Sequence, residues 1–213
     1  TAVALATPLA ILVGWSLARH RFRGKFLLET FVNLPLVLPP VVTGYLLLLA
    51  FGRRSPIGLW LEQVFGVRFV FDWKGAALAS AVVGFPLLVR PIRQAFAAID
   101  NRTLKAAQLL GARPWDAFLS IALPLAAPGV LSGCVLAFAR SMGEFGATMM
   151  IAGNTAGETR TIPLFIYSQL ETPGGQQNAI PLVIVSIVLS AGALLAGECL
   201  DRLHRRRLGL SDR

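Results

Sequence analysis

Apolar residues in this chain gather into five blocks separated by polar, largely basic connections. The blocks cover about residues 2–18, 34–51, 75–97, 125–151 and 179–199. A helix that crosses a bilayer needs about 20 apolar residues at 1.5 Å rise each. Each block is therefore predicted to be a transmembrane helix, and the chain to be an all-α integral membrane bundle of about five helices. The third block is the shortest in its purely apolar part, and Arg90 and Arg93 fall at its inner end with stems able to snorkel. In the second block, LPLVLPPVVTGYLLLLAF, residues Pro35, Pro39 and Pro40 interrupt the backbone hydrogen-bond pattern, as at a bend, a gate or a packing kink.

Composition agrees with that pattern. Hydrophobic residues make up 55% of the chain and charged residues 15%, whereas a soluble domain carries roughly 25% charge. One bundle uses up the 213 residues, so the chain reads as a single domain. Thr1 opens directly into an apolar run, which suggests that the true N-terminus lies upstream and that the first helix is cut short. No basic stretch precedes that run and no small-residue cleavage site ends it, so it is not read as a signal peptide.

The net charge of +9 raises nucleic acid as a partner, but the basic residues sit at block ends, where membrane topology explains them. The first connection holds four Lys and Arg, the stretch from Arg90 to Pro124, counted from the inner end of the third block, holds five and the C-terminal tail five, 14 of the 20 in the chain. The positive-inside rule places those three segments, including the C-terminus, in the cytoplasm. Membrane lipid, not nucleic acid, is the expected surroundings.

Catalytic chemistry finds little support. There is no Gly-rich loop ending in Lys-Ser or Lys-Thr to cradle a nucleotide. Cys134 and Cys199 lie in apolar segments without metal-ligand spacing, and His20 and His204 stand in basic flanks. Neither a metal nor a bound cofactor is expected, and the chain is read as a non-enzyme. No inverted repeat of the kind found in secondary transporters is visible.

The third connection, about residues 100–124, is too patterned for a turn. IDNRTLKAAQLLG reads as a short helix started by Asn101 or Thr103 and ended by Gly111 at positive φ. Pro114 suits the first turn of a second short helix that ends near Pro124. Two short helices at about a right angle would form a knob on the cytoplasmic side. Ala106 and Ala107 are small enough for close approach, and Leu109, Leu110, Trp115 and Phe118 are candidates for apolar contact with a partner.

The fourth block carries two membrane charges. Arg140 and Glu144 are four apart, so they are expected to face the same way on the helix. Isolated, each costs about 2.5–3.5 kcal/mol at mid-bilayer. They make either a structural ion pair or an element of a gate or pathway. Gly133, Ala137 and Ser141 form a small-residue row suited to close helix packing. Gly143 and Gly146 bracket the charge pair and would admit a neighbouring backbone.

Ala106-Ala107, Gly111, Ile121 and Leu123-Pro124, with their spacing, resemble the EAA signature of ABC importer permeases; Lys105 stands where that signature has Glu. FARSMGEFGAT, with AGN, GETRTIPLFIY, TPGG and LPLVLPPVVTGYLLL, resembles the molybdate permeases of that family, of the type I transmembrane-domain class. Sulfate and thiosulfate permeases are similar relatives and the alternative reading; a secondary transporter ranks below both. The resemblance implies an inner-membrane permease dimer with two ATP-binding subunits that hold ATP and Mg. It also implies a periplasmic oxyanion-binding protein. The loop from Lys105 to Pro124 would then couple to the ATPase. Arg140, Glu144, Gly143, Gly146, Pro39 and Pro40 would line the path or gate. Glu158, Arg160, Thr161, Pro173 and Gly174 would meet the binding protein, with Arg160 also able to attract a dianion.

Overall fold

The computed structural model describes residues 1–20 and 22–207; of the basic residues counted above, Arg21 and the side chains from 201 onward lie outside the described residues. The described residues form helices joined by short turns, with no strand among them. In chain order they are α1 (Ala2–Arg19), α2 (Lys25–Val37), α3 (Pro40–Phe51), α4 (Pro56–Phe65), α5 (Trp73–Ala98) and α6 (Asn101–Leu109). Then come α7 (Pro114–Ala117), a π turn (Phe118–Ala122), α8 (Leu123–Met142), α9 (Gly146–Ala152), α10 (Ile162–Leu170) and α11 (Gln176–Arg207). Four segments are long and apolar enough to cross a membrane: α1, α5, the run Pro114–Met142, and Gln176–Cys199 within α11. A fifth span results if α2 and α3 are counted together.

The second block departs from the expected single helix over 34–51. It is a corner: α2 ends at Val37, α3 starts at Pro40, and their axes differ by 117°. Leu38, forced extended before a proline, sits at φ −68, ψ 141. Pro39 and Pro40 lack the N–H groups that would continue α2, whereas Pro40 suits the first position of a new helix. The inner half of this corner is tied to α5 by two basic residues. Arg90 Nε donates to Asn33 Oδ1 at 2.8 Å, and Arg93 pairs with Glu29 at 3.0 Å.

The fourth block also differs. The expected helix over 125–151 begins at Pro114 instead and breaks at 143–145 before α9. The second short helix of the loop does not stop near Pro124 but runs through the π turn into α8. Pro124 explains the wide turn. It has no N–H for the Ser120 carbonyl, and the bond closing the turn runs from Leu123 N–H to Phe118 O, five residues back. Two connections read as polar contain helices, α4 and α10.

The long helix α5 is the centre of the bundle, with α1, α8, α9 and α2 around it. Leu17, Leu88, Val89, Ile92, Phe96 and Phe118 form one core cluster, and Ala79, Val83, Ala147 and Ile151 a second. The small-residue row seats α8 on α5. Ala137 and the Ser141 hydroxyl flank Gly84, and a Cβ at Gly133 would lie 2.7 Å from the Leu88 carbonyl oxygen. Gly133→Val is therefore expected to cost about 1–3 kcal/mol by overpacking. A lower Tm of the detergent-solubilised protein checks this; an unchanged Tm refutes the close approach. The outer faces are apolar: Val37 is 80% and Leu195 71% exposed. Such faces suit lipid as the surrounding solvent.

Candidate functional site

Two regions carry the candidate residues. In the loop, Asp100 rather than Asn101 or Thr103 caps α6, its Oδ1 accepting from Arg102 N–H at 2.9 Å. The helix closes with N–H groups of Leu110, Gly111 and Ala112 returned to carbonyls of its last turns. Gly111 has φ +95, the left-handed region open to glycine. Arg113 is extended, and its N–H donates to Asp116 Oδ2 at 3.3 Å, starting α7. Leu109 and Leu110 are 88% and 90% exposed and Trp115 is 59% exposed. With Lys105, Ala106 and Gly111 they form the outward tip, while Ala107, Ile121 and Leu123 are half-buried and Pro124 is exposed.

Phe118 does not belong to that tip. It is buried, with ring centroids 5.1 Å from Trp15 and 5.2 Å from Trp115. The π turn directs it inward, so it anchors the loop instead of meeting a partner.

The second region is the break between α8 and α9. Arg140 Nη1 lies 2.9 Å from Glu144 Oε2, with the Glu144 side chain 1% and the Arg140 side chain 32% exposed. Because α8 stops at Met142, the pair does not share a helix face; Glu144 reaches back from beyond the helix end. Its Oε1 also accepts the Ala147 N–H at 2.8 Å, so one carboxylate both neutralises Arg140 and starts α9. The Thr148 hydroxyl donates to the Phe145 carbonyl at 2.9 Å and steadies the same turn.

The proline corner meets this break. A Cβ at Gly146 would lie 3.1 Å from Pro40 Cβ, and one at Gly44 would lie 2.7 Å from Ala147 Cα. Thus Pro40 packs against Gly146, two residues beyond Glu144, where the proline corner crosses the start of α9. Gly143 does not admit a neighbouring backbone: the nearest atom to a Cβ there is the Arg140 oxygen, 3.9 Å away. It faces a groove of about 450 Å³ between α8, α10 and α11, whose polar lining includes Tyr167, Ser186 and Ser190. Gly44→Val should clash with the α9 backbone and lower the Tm, at about 1–3 kcal/mol; wild-type stability would contradict the crossing.

The remaining candidates sit at the two ends of α10. Glu158 is exposed beside Gly157, whose φ is +80. Arg160 is held, not free: Nε donates to Asn154 Oδ1 at 2.8 Å, and the guanidinium lies 6.0 Å from the Phe165 ring centroid. Thr161 precedes α10, and Pro173 and Gly174 form an exposed turn after it. Nine helical residues separate the two groups, about 13 Å. Among the described residues, no group of three or more His, Cys, Asp or Glu is placed to hold a metal.

Sequence alone does not single out Asn33 and Glu29, the partners of Arg90 and Arg93. Nor does it single out Trp15 and Arg19, whose contacts with the loop depend on the fold. For Trp15 the available signal is an aromatic residue one turn before the basic end of α1.

The fold is that of ABC transporter transmembrane domains. Solved structures with this fold include a bacterial ABC transporter involved in the import of the acidic polysaccharide alginate, with TM-score 0.67 and 18% identity, covering 94% of this chain and 77% of that one. The MetNI methionine ABC transporter in an inward-facing conformation matches with TM-score 0.68 and 15% identity, covering 95% of this chain and 88% of that one. The chain belongs to the family described as binding-protein-dependent transport system inner membrane component, whose profile matches residues 6–209. It is a multi-pass inner-membrane protein of binding-protein-dependent transport.

Its relatives include the molybdenum transport system permease protein ModB of Haemophilus influenzae, 54% identical over 95% of this chain and 88% of that protein. ModB of Escherichia coli is 51% identical over 98% of this chain and 91% of that protein. The sulfate transport system permease protein CysT of Escherichia coli is 35% identical over 87% of this chain and 65% of that protein.

Proposed function

We propose that this chain is the membrane-spanning permease subunit of an ATP-driven importer that carries molybdate, or the similarly sized tungstate, into the cell. The observation that carries the substrate is the 51–54% identity to two molybdenum permeases over nearly the whole chain. The coupling role is supported by the exposed tip of Leu109, Leu110 and Trp115, held out by Gly111.

Two copies of the chain work with two ATP-hydrolysing subunits and a periplasmic oxyanion-binding protein. The chain itself binds no cofactor and hydrolyses nothing; ATP and Mg belong to the partner subunits. The loop and the C-terminus face the cytoplasm, following the basic-residue bias. Closure of the ATPases on ATP draws the two loops together and opens the path outward, and hydrolysis resets it. The crossing of Pro40 on Gly146, next to the Arg140–Glu144 pair, lies where a gate can be worked, because the proline corner meets the break between α8 and α9 there. The binding protein selects the anion and docks on the outer loops at the ends of α10.

The test is ATP hydrolysis and uptake by the reconstituted complex with its binding protein. Molybdate and tungstate are expected to stimulate both, and sulfate neither. Stimulation by sulfate alone would make this a sulfate permease, and uptake independent of ATP would remove it from ATP-driven importers.

A further inference from the structure

The helix that carries the outward tip is weakly rooted. Not one residue of α6 is buried, and Leu104 is its half-buried contact with the core. Something besides packing of α6 must carry its displacement into the membrane.

One turn of α1 grips the loop at both ends. Trp15 and Arg19 are four residues apart and share a helix face. Arg19 Nη2 donates to the Ile99 carbonyl at 2.6 Å, and Nη1 donates to Asn101 Oδ1. Ile99 is the first residue after α5, and Asn101 is the first of α6. The guanidinium thus spans the hinge between them, and its fixed fork of donors suits two acceptors in different directions. Behind it, Trp15 lies edge-on to Phe96 of α5 and to Phe118 of the π turn, both with centroids 5.1 Å away. Phe118 stacks in turn on Trp115 of α7. The Arg19 guanidinium sits 5.7 Å from the Trp15 ring centroid, joining the polar and aromatic halves.

We infer that Arg19, backed by Trp15, is a positioning residue for coupling, a clasp through which movement of the loop carries α1 and α5 with it. This inference rests on the importer reading above. Without the clasp, α6 swings on the Ile99–Asp100 joint, and ATP is spent without moving the spans.

The experiment uses the complete reconstituted complex and reads anion taken up per ATP hydrolysed. Arg19→Met keeps the apolar stem and removes the donors. The ATPase should still co-purify, and uptake per ATP should fall about tenfold. Asn101→Ala, which removes one acceptor at an exposed position, should lower the same ratio by a smaller factor. The double variant should be no worse than Arg19→Met alone, because both changes open one contact. A ratio within about twofold of wild type for Arg19→Met, or independent effects of the two substitutions, overturns the clasp. Should Arg19→Met fail to assemble, an unchanged ratio in Asn101→Ala overturns it and a lowered ratio supports it. Absence of ATP-driven uptake by the wild type would instead overturn the importer reading, and the clasp with it.

Discussion

Complexes carrying Gly111→Trp are expected to lose their ATPase subunits on purification, while the permease itself still inserts. At φ +95 a side chain on this residue is strained wherever it points, by about 1–2 kcal/mol for the left-handed backbone. Space within the chain is not the obstacle, since a Cβ at this position meets no atom within 4 Å. The turn relaxes instead, and α6 and α7 change their mutual angle. Leu109, Leu110 and Trp115 then no longer present one surface, and the indole adds bulk where a partner must approach. Gly111→Asn is the matching control, because Asn tolerates this backbone region better than other side chains; it should retain most of the ATPase. Normal ATPase recovery with Gly111→Trp would sink the assignment of this loop to coupling.

Glu144→Ala should be among the most destabilising single changes in the chain. It strips the counter-charge from Arg140 and the acceptor from the first turn of α9 together. Breaking a fully buried ion pair costs about 3–5 kcal/mol, an upper bound here because the Arg140 side chain is 32% exposed, and loss of a cap adds about 1 kcal/mol. The expected readout is a large fall in Tm or in folded yield after membrane extraction. Arg140→Met combined with Glu144→Gln should recover much of that stability, because neither charge is left alone and the Gln oxygen can still accept the Ala147 N–H. Transport by the recovered protein then separates the two readings of the pair. Full uptake marks it as structural, and loss of uptake in a stable protein marks it as part of the passage. A Glu144→Ala protein as stable as wild type would contradict the buried geometry altogether.

Elements that depend on local sequence are legible without the structure. Helices α1, α5 and α11 stand out because a bilayer selects an apolar run of spanning length and water does not. Gly111 is legible because a glycine after a helical pattern and before Arg-Pro has a specific backbone use. The proline corner is not, since a hydropathy window measures how apolar a segment is and is blind to its direction. The signals for α4 are present: Ser55 accepts from the Gly58 N–H, Pro56 opens the helix, and Gly66 ends it at φ +64. Treating residues 52–74 as one polar connection hides them. The spacing of Arg140 and Glu144 brings the right two residues together for the wrong reason, since the helix between them ends first. Phe118 is misplaced by pattern alone because its direction depends on one extra residue in a turn, which no periodic pattern announces.

That wide turn has a consequence for how a partner is recognised. Each residue in a helix advances the chain by about 100° around the axis, so the stretch Phe118–Ala122 sets the angle at which everything before it faces. Deleting one residue there would leave composition, charge and apolar surface nearly the same, yet present the tip of Leu109, Leu110 and Trp115 more than a quarter-turn away. If the tip docks on an ATPase as proposed, the two are matched by phase as well as by surface chemistry, like two threaded parts that fit at a single starting angle.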